Sequence, residues 1–377
     1  MESGSEFSGN DSGVNSIGVP VIVKQILEFI QSDDPNLKIQ AAREIRRLTK
    51  TSEKHRPYFS GAIERLVAML RSDSPDCYEA ALLALLNLAV KDETNKIAIV
   101  DAGALQPLIS FLKSNDLNLR EYATAALLTL SASAINKPKI SASGAIPLLV
   151  EILRDASPQA KVEALMALYN LSTHPENLSI ILAAKAISPL VNLLKSCKKS
   201  SKTTEKCSAL IESLLSHDEG RTALTSEEGG VLAVVEVLES GSLQSREYAV
   251  GALLTMCKSD RCRYREVILR EGVIPGLLEL TVQGTPKSQS KAQTLLELLR
   301  DSPHGRDEFE ADTLENIVCN IVSQIDGEDR GGKAQKMLAE MVQVSMEQSL
   351  RHLEQRALVG TPNNRRLSSR TSKVSSK

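Results

Sequence analysis

"GAIPLLVEILRDASPQAKVEALMALYNL", residues 144–171, contains a complete structural unit. Glycine opens it, and an apolar run of about ten residues follows. The polar "RDASPQ" interrupts, and a second run of about thirteen ends in A-L-Y-N-L. Glycine permits a sharp turn into the first helix. Ser157 is placed to cap the second helix, and Pro158 at its first position sacrifices no hydrogen bond. The second helix is apolar over most of its circumference, so it must be covered on several sides.

One unit cannot cover itself, and the frame recurs. "GAIERLVAMLRSDSPDCYEAALLALLNL" starts at 61, "GALQPLISFLKSNDLNLREYATAALLTL" at 103 and "GGVLAVVEVLESGSLQSREYAVGALLTM" at 229. Units start near 21, 61, 103, 144, 185, 229, 272 and 312, giving intervals of 40, 42, 41, 41, 44, 43 and 40. This is the period of stacked helical repeats. The spacing predicts a turn at Gly61, Gly103, Gly144, Gly229 and Gly272, and capped helix starts at Asp34-Pro35, Ser74-Pro75 and Ser157-Pro158. Segments such as "DETNKIAIVDA" (92–102) supply a short third helix per unit. The expected fold is all-α, a right-handed superhelical solenoid of about eight repeats over residues 18–349. A disordered segment, 1–17, is expected before it and a basic, Ser-rich tail, 350–377, after it.

Composition narrows the function. Net charge is −2, which argues against a globally basic nucleic-acid binder. Aromatics are 3% with no Trp, suiting an aliphatic stack more than a cofactor pocket. The six cysteines form neither CxxC pairs nor a compact disulfide framework and read as reduced thiols. The start has no signal-peptide pattern, and no apolar run approaches a membrane span. These readings predict a soluble, monomeric protein of the cytoplasm, the nucleus or both. No enzyme, metal or cofactor constellation emerges. The five histidines show no paired spacing, and His174 and His217 read as capping residues after successive long helices. "GEDRGGKA" (327–334) follows G-x-x-x-x-G-K, but Ala334 stands where a P-loop needs Ser or Thr, so it reads as a turn.

The stretch "GAIPLLVEILRDASPQAKVEALMALYNLSTHPENLSIILAAKAISPLVNLL" resembles the armadillo (ARM) repeats of plant U-box proteins, with their GAI-x-x-L-V opening and A-L-x-N-L-S close. The resemblance covers roughly residues 19–345. It implies a protein-binding module whose partners include kinase domains and ubiquitination substrates. A U-box with its C-P-I-type motif does not precede the first repeat here, so ligase activity is not implied. The expected function is a non-enzymatic scaffold, with a ubiquitin-pathway component acting beside a separate ligase as the alternative.

Aligning the long helices gives one polar position per unit: Arg47, Asn87, Thr129, Asn170, Ser213, Thr255 and Glu297. In register, this row reads as the wet inner face of the solenoid. Small residues stand a turn earlier (Ala84, Ala126, Ala167 and Ala252 at minus three) and suggest a shallow groove. The resemblance implies that Asn87 and Asn170 clamp a ligand backbone, which a carboxamide suits because it both donates and accepts. The same side chains could equally bond a neighbouring repeat's backbone, with the alanines small only for helix packing. Arg43, Arg46, Arg47 and Lys50 make the first unit basic. Lys-rich "KSCKKSSKTTEK" (195–206) reads as a solvated loop, and Arg365-Arg366-Leu367-Ser368 makes Ser368 and Ser369 candidate phosphorylation sites.

Overall fold

The computed structural model describes residues 15–300. It falls into two compact units, Met1–Thr255 and Met256–Lys377. Every described element is helical. Repeat one holds α1 (Asn15–Gln31) and α2 (Pro35–Thr51). Repeat two opens with a 3₁₀ segment, Glu53–Ala62, then α3 (Ile63–Met69) and α4 (Pro75–Ala89). From there each repeat has three helices. They are α5 (Glu93–Asp101), α6 (Leu105–Leu112) and α7 (Leu117–Ser131), then α8 (Asn136–Ala142), α9 (Ala145–Asp155) and α10 (Pro158–Ser172). Next come α11 (Glu176–Ala183), α12 (Ile187–Ser196) and α13 (Lys202–Leu214), followed by α14 (Asp218–Ser226), α15 (Gly230–Ser240) and α16 (Leu243–Ser259). The division between the units falls inside α16. Beyond it lie α17 (Arg261–Arg270), α18 (Ile274–Gln283) and α19 (Pro286–Leu299). The repeat expected from 312, the "GEDRGGKA" turn and Ser368 and Ser369 lie outside the described residues. α1 begins at Asn15, inside the segment expected to lack structure.

In the first unit the long helices stack in chain order, α2 on α4, α4 on α7, α7 on α10 and α10 on α13. The middle helices form a second layer, with α6 on α9, α9 on α12 and α12 on α15. The core between is aliphatic: Leu85, Leu127, Leu168 and Leu210 are buried in successive long helices. Each such side chain contributes roughly 1.5–3 kcal/mol by leaving water, so the stack is held by many equivalent burials. In the second unit α18 and α17 both pack on α19 around Ile268, Leu277 and Leu295.

Local sequence explains the joints. Gly103, Gly144, Gly229 and Gly272 have φ of +87°, +81°, +63° and +75°, in the left-handed region that favours glycine. Lys185 takes the same position in its repeat at φ +60°. Gly61 departs from expectation: it lies inside the 3₁₀ segment and makes no left-handed turn. Asp34 and Ser157 cap as expected, accepting from Asn36 N and Ala160 N. Ser74 does not, since its side chain makes no capping bond to α4. The Lys-rich segment is also more ordered than expected. Only residues 197–201 separate α12 from α13, and Lys199 is tied down, donating to Leu194 O at 2.6 Å and pairing with Glu236 at 3.0 Å.

Candidate functional site

The polar row is neither buried nor fully exposed. Arg47 and Glu297 are exposed, and Asn87, Thr129, Asn170, Ser213 and Thr255 are half-buried. Glu297 belongs to the second unit and the others to the first. The row residues on α2, α4, α7, α10 and α13 share the solvent-facing side of stacked long helices.

The two asparagines play the same part. Asn87 Nδ2 donates to Arg46 O at 3.0 Å. Asn170 Nδ2 donates to Leu128 O at 3.4 Å and to Ser131 Oγ at 3.2 Å. Arg46 and Leu128 are equivalent positions, each on the preceding long helix one residue before the row. The amide donors therefore stitch neighbouring repeats together. Each Oδ1 has no partner among the described residues and can still accept. The hydroxyls turn inward: Thr129 donates to Ala125 O, Ser213 to Ala209 O and Thr255 to Gly251 O, all on the same helix at 2.9–3.0 Å. Arg47 is held by Glu44 at 2.8 Å, which raises its guanidinium above the usual range.

The strip of small residues corrects the expected groove floor. Ala84, Ala126, Ala167 and Ala252 are all buried, so they serve packing. The half-buried surface beside the row comes instead from Leu83, Leu86, Leu128, Met166 and Tyr169. Lys206 Nζ lies over the Tyr169 ring, 4.6 Å from its centroid, and 3.4 Å from Glu205. Burial would lower the Lys206 ammonium, but Tyr169 and Glu205 outweigh it and raise it above the usual lysine range. Tyr248 stands close by, its phenol raised by burial and by Tyr169.

A second polar series escaped the sequence reading. Asn95, Asn136 and Asn177, at 41-residue steps, are at most 1% exposed. Each donates from Nδ2 to a carbonyl at the end of the preceding long helix: Leu88 O at 3.2 Å, Leu130 O at 3.3 Å and Leu171 O at 3.0 Å. His55 Nδ1 lies 3.3 Å from the equivalent Leu48 O. In the next repeat the position is Gly220, where a Cβ would stand 2.3 Å from Leu214 O. There Arg221 Nη1 takes over by donating to Leu215 O at 2.8 Å and Ser216 O at 3.0 Å. These buried groups tie the short helices to the long ones. The histidines expected to cap do not do so through their rings. His217 occupies the N-cap of α14 without a side-chain capping bond, and His174 Nε2 lies 3.6 Å from Glu176.

Among the described residues no His/Cys/Asp/Glu group could hold a metal, and no single helix is long and apolar enough to cross a membrane. The site is a surface.

Comparison with known proteins agrees with this architecture. Residues 104–302 match the plant U-box protein ARM repeat region. U-box domain-containing protein 45 of Arabidopsis thaliana is 32% identical over 271 residues, 70% of this chain and 35% of that protein. U-box domain-containing protein 9 of the same plant is 36% identical over 289 residues, 74% of this chain and 61% of that protein. The chain thus spans about a third and about three fifths of these relatives. An engineered protein of known crystal structure aligns with TM-score 0.64 at 26% identity, over 74% of this chain and 68% of that one. A designed armadillo repeat protein, solved in complex with the peptide (KR)4, aligns with TM-score 0.54 at 24% identity, over 63% of this chain and 99% of that one; this likeness speaks for the fold alone.

Proposed function

This chain belongs to the plant U-box protein ARM repeat region family, and on that premise we propose that it is a non-enzymatic scaffold binding a partner protein along the solvent-facing side of its long helices. The row from Arg47 through Asn87, Thr129, Asn170, Ser213 and Thr255 marks that face, with Glu297 its counterpart in the second unit. One observation carries the reading. Across the first unit the same helix side stays half-exposed in repeat after repeat, mixing amides, apolar side chains and charges, while the side holding Ala84, Ala126 and Ala167 is sealed. An array that needed only stability could finish this side with solvated charges. Kinase domains and ubiquitin-pathway proteins are the partner classes the family resemblance brings forward, and the scaffold would act in the cytoplasm or nucleus without a cofactor.

The test begins with proximity labelling to identify a partner, followed by affinity measurement with purified proteins. Arg47→Glu combined with Met166→Lys should weaken binding at least tenfold. Glu151→Lys, exposed on a middle helix, should leave it unchanged. Equal affinity for all three proteins would reject the face. The alternative, a ubiquitin-pathway component working with a separate ligase, is favoured by the U-box proteins among the relatives. An in-vitro ubiquitination assay separates the two: the chain alone should transfer no ubiquitin, and it should raise substrate modification only when a ligase is added.

A further inference from the structure

Away from the polar row, a cleft of about 240 Å³ opens where α9, α10 and α12 meet. Arg154, in the last turn of α9, and Lys161, near the start of α10, line it together with Asn192 and Ser196 of α12. Leu153 and Leu193, both buried, supply apolar lining. Arg154 is exposed and Lys161 half-buried, and neither makes an ion pair or a side-chain hydrogen bond among the described residues. Asp155, the next residue after Arg154, pairs with neither of them. Two like charges therefore share one cleft, and no contact of the fold draws on them.

The same places in other repeats are filled differently. Arg71 corresponds to Arg154, but its Nη2 donates to Gly103 O at 3.1 Å. Tyr78 corresponds to Lys161 and packs on Phe111, their ring centroids 5.2 Å apart. One repeat on, Lys113 and Arg120 correspond to the two cations, and the carboxylates Glu151 and Asp155 to Asn192 and Ser196. One repeat beyond the cleft, Lys195 takes the place of Arg154 and donates to Glu228 O at 2.5 Å, while Glu236 takes that of Asn192 and pairs with Lys199 at 3.0 Å. Of these four arrangements, that of Arg154 and Lys161 alone joins two unspent cations to a wall without a carboxylate. The surroundings add to the field: Lys195, just before Ser196, keeps its charge against a neutral carbonyl, and Lys198 and Lys202, just after it, are exposed and make no ion pair among the described residues.

We propose that this cleft receives a phosphorylated side chain of a partner protein. The proposal takes from the scaffold reading only that the partner is a protein, and it uses a different surface. The Arg154 guanidinium can donate two parallel bonds to phosphate oxygens, and the Lys161 ammonium supplies a compact second charge. Asn192 is exposed, with no side-chain bond among the described residues, so its amide can donate to a third oxygen. A phosphate monoester carries a charge of about −2 near neutral pH, which two cations match. A carboxylate carries half of that and would leave one cation over. The apolar lining strengthens each charge contact by keeping water back. Residues flanking the phosphate would meet Lys195, Lys198 and Lys202, which favours a peptide segment with acidic flanks over a bare ion.

The experiment uses the full chain and three pools of short fluorescent peptides, degenerate except for a central phosphoserine, serine or glutamate. The phosphoserine pool should bind at least tenfold tighter than the serine pool and severalfold tighter than the glutamate pool, and its binding should weaken with salt. Arg154→Glu/Lys161→Glu should reduce that affinity at least tenfold. Asn192→Glu should do the same with both cations in place, because it copies the Glu151 arrangement of the preceding repeat. Lys113→Glu, the counterpart of Arg154 in that repeat, should leave binding unchanged. Inorganic phosphate should compete far less well than unlabelled phosphoserine peptides. Circular dichroism melts verify that each variant is folded. Equal binding of the three pools, no binding at all, undiminished binding by Arg154→Glu/Lys161→Glu, or inorganic phosphate competing as well as peptide overturns the assignment and leaves the long-helix face to its own test. Conversely, Arg47→Glu/Met166→Lys should bind the phosphoserine pool in full, and a loss there would move the phosphate away from this cleft and overturn the proposal.

Discussion

Asn87 and Asn95 lie eight residues apart, and replacing each with alanine should give very different results. Asn95 is fully buried. Its Nδ2 donates to Leu88 O at 3.2 Å, and its Oδ1 accepts from Ser60 Oγ at 2.8 Å. Leu88 O is among the last carbonyls of α4, where no helical N–H remains to bond it. Asn95→Ala therefore breaks two bonds, at about 1 kcal/mol each, and strands a buried carbonyl at a further 1–2 kcal/mol, for a total of about 3–4 kcal/mol. Asn87→Ala breaks one bond, to Arg46 O at 3.0 Å, in a half-exposed place where water can substitute. Its cost should be about 0.5–1 kcal/mol. Repeat arrays can lose cooperativity, so urea melts should be paired with amide hydrogen exchange of the α4–α5 segment. Faster exchange there in Asn95→Ala, with little change in Asn87→Ala, is the expected pattern. Equal destabilisation by the two substitutions would refute the division between a buried joint and a surface amide.

Three further outcomes follow from the backbone and the thiols. Lys185→Gly should raise stability by about 0.5–1 kcal/mol in urea melts, because a side chain at φ +60° carries a left-handed penalty that glycine lacks. Gly61→Ala should be neutral or stabilising, since its Cβ would meet nothing within 4 Å, whereas Gly220→Ala should cost about 2 kcal/mol or more, its Cβ falling 2.3 Å from Leu214 O. At pH 8, a maleimide should label exposed Cys262 quickly and leave Cys207 and Cys257 intact until urea is added. Burial pushes the Cys257 thiol up to about 11 and the Cys207 thiol higher still, so neither presents a thiolate at that pH.

The stack of helices was legible because it depends on composition repeated at a fixed interval. Gly103, Gly144, Gly229 and Gly272 turn where their spacing says they should, and Asp34 and Ser157 cap where a Pro follows. Lys185 was not legible as a left-handed residue, since nothing in lysine's chemistry asks for that conformation and only the frame of its neighbours imposes it. Gly61 misled for the converse reason: in its repeat the 3₁₀ segment absorbs the turn. The alanine strip left two readings open because a small residue suits a groove floor and a tight helix crossing equally well, and its burial selects the second. The asparagines of α5, α8 and α11 keep a 41-residue step as regular as any in the chain, yet they lie in short helices with little apolar pattern to draw attention to them.

In a solenoid the residue about 41 positions away in sequence is the nearest neighbour in space. A polar side chain leaning toward the preceding repeat therefore meets that repeat's backbone, and one on the opposite flank meets water or the next helix start. Asn87 and Asn170 lean the first way, and their donors are spent on Arg46 O and Leu128 O. Glu121 leans the second way, reaching Ser157 at the start of α10 while keeping its charge. Repetition alone cannot tell these cases apart, because a structural joint and a ligand contact recur with the same period. Unspent valence separates them. An amide whose N–H is bonded offers a partner one acceptor oxygen, whereas a carboxylate with only a neutral donor offers a partner its charge as well. On this reasoning Glu121 offers a partner more than the asparagines that first mark the face.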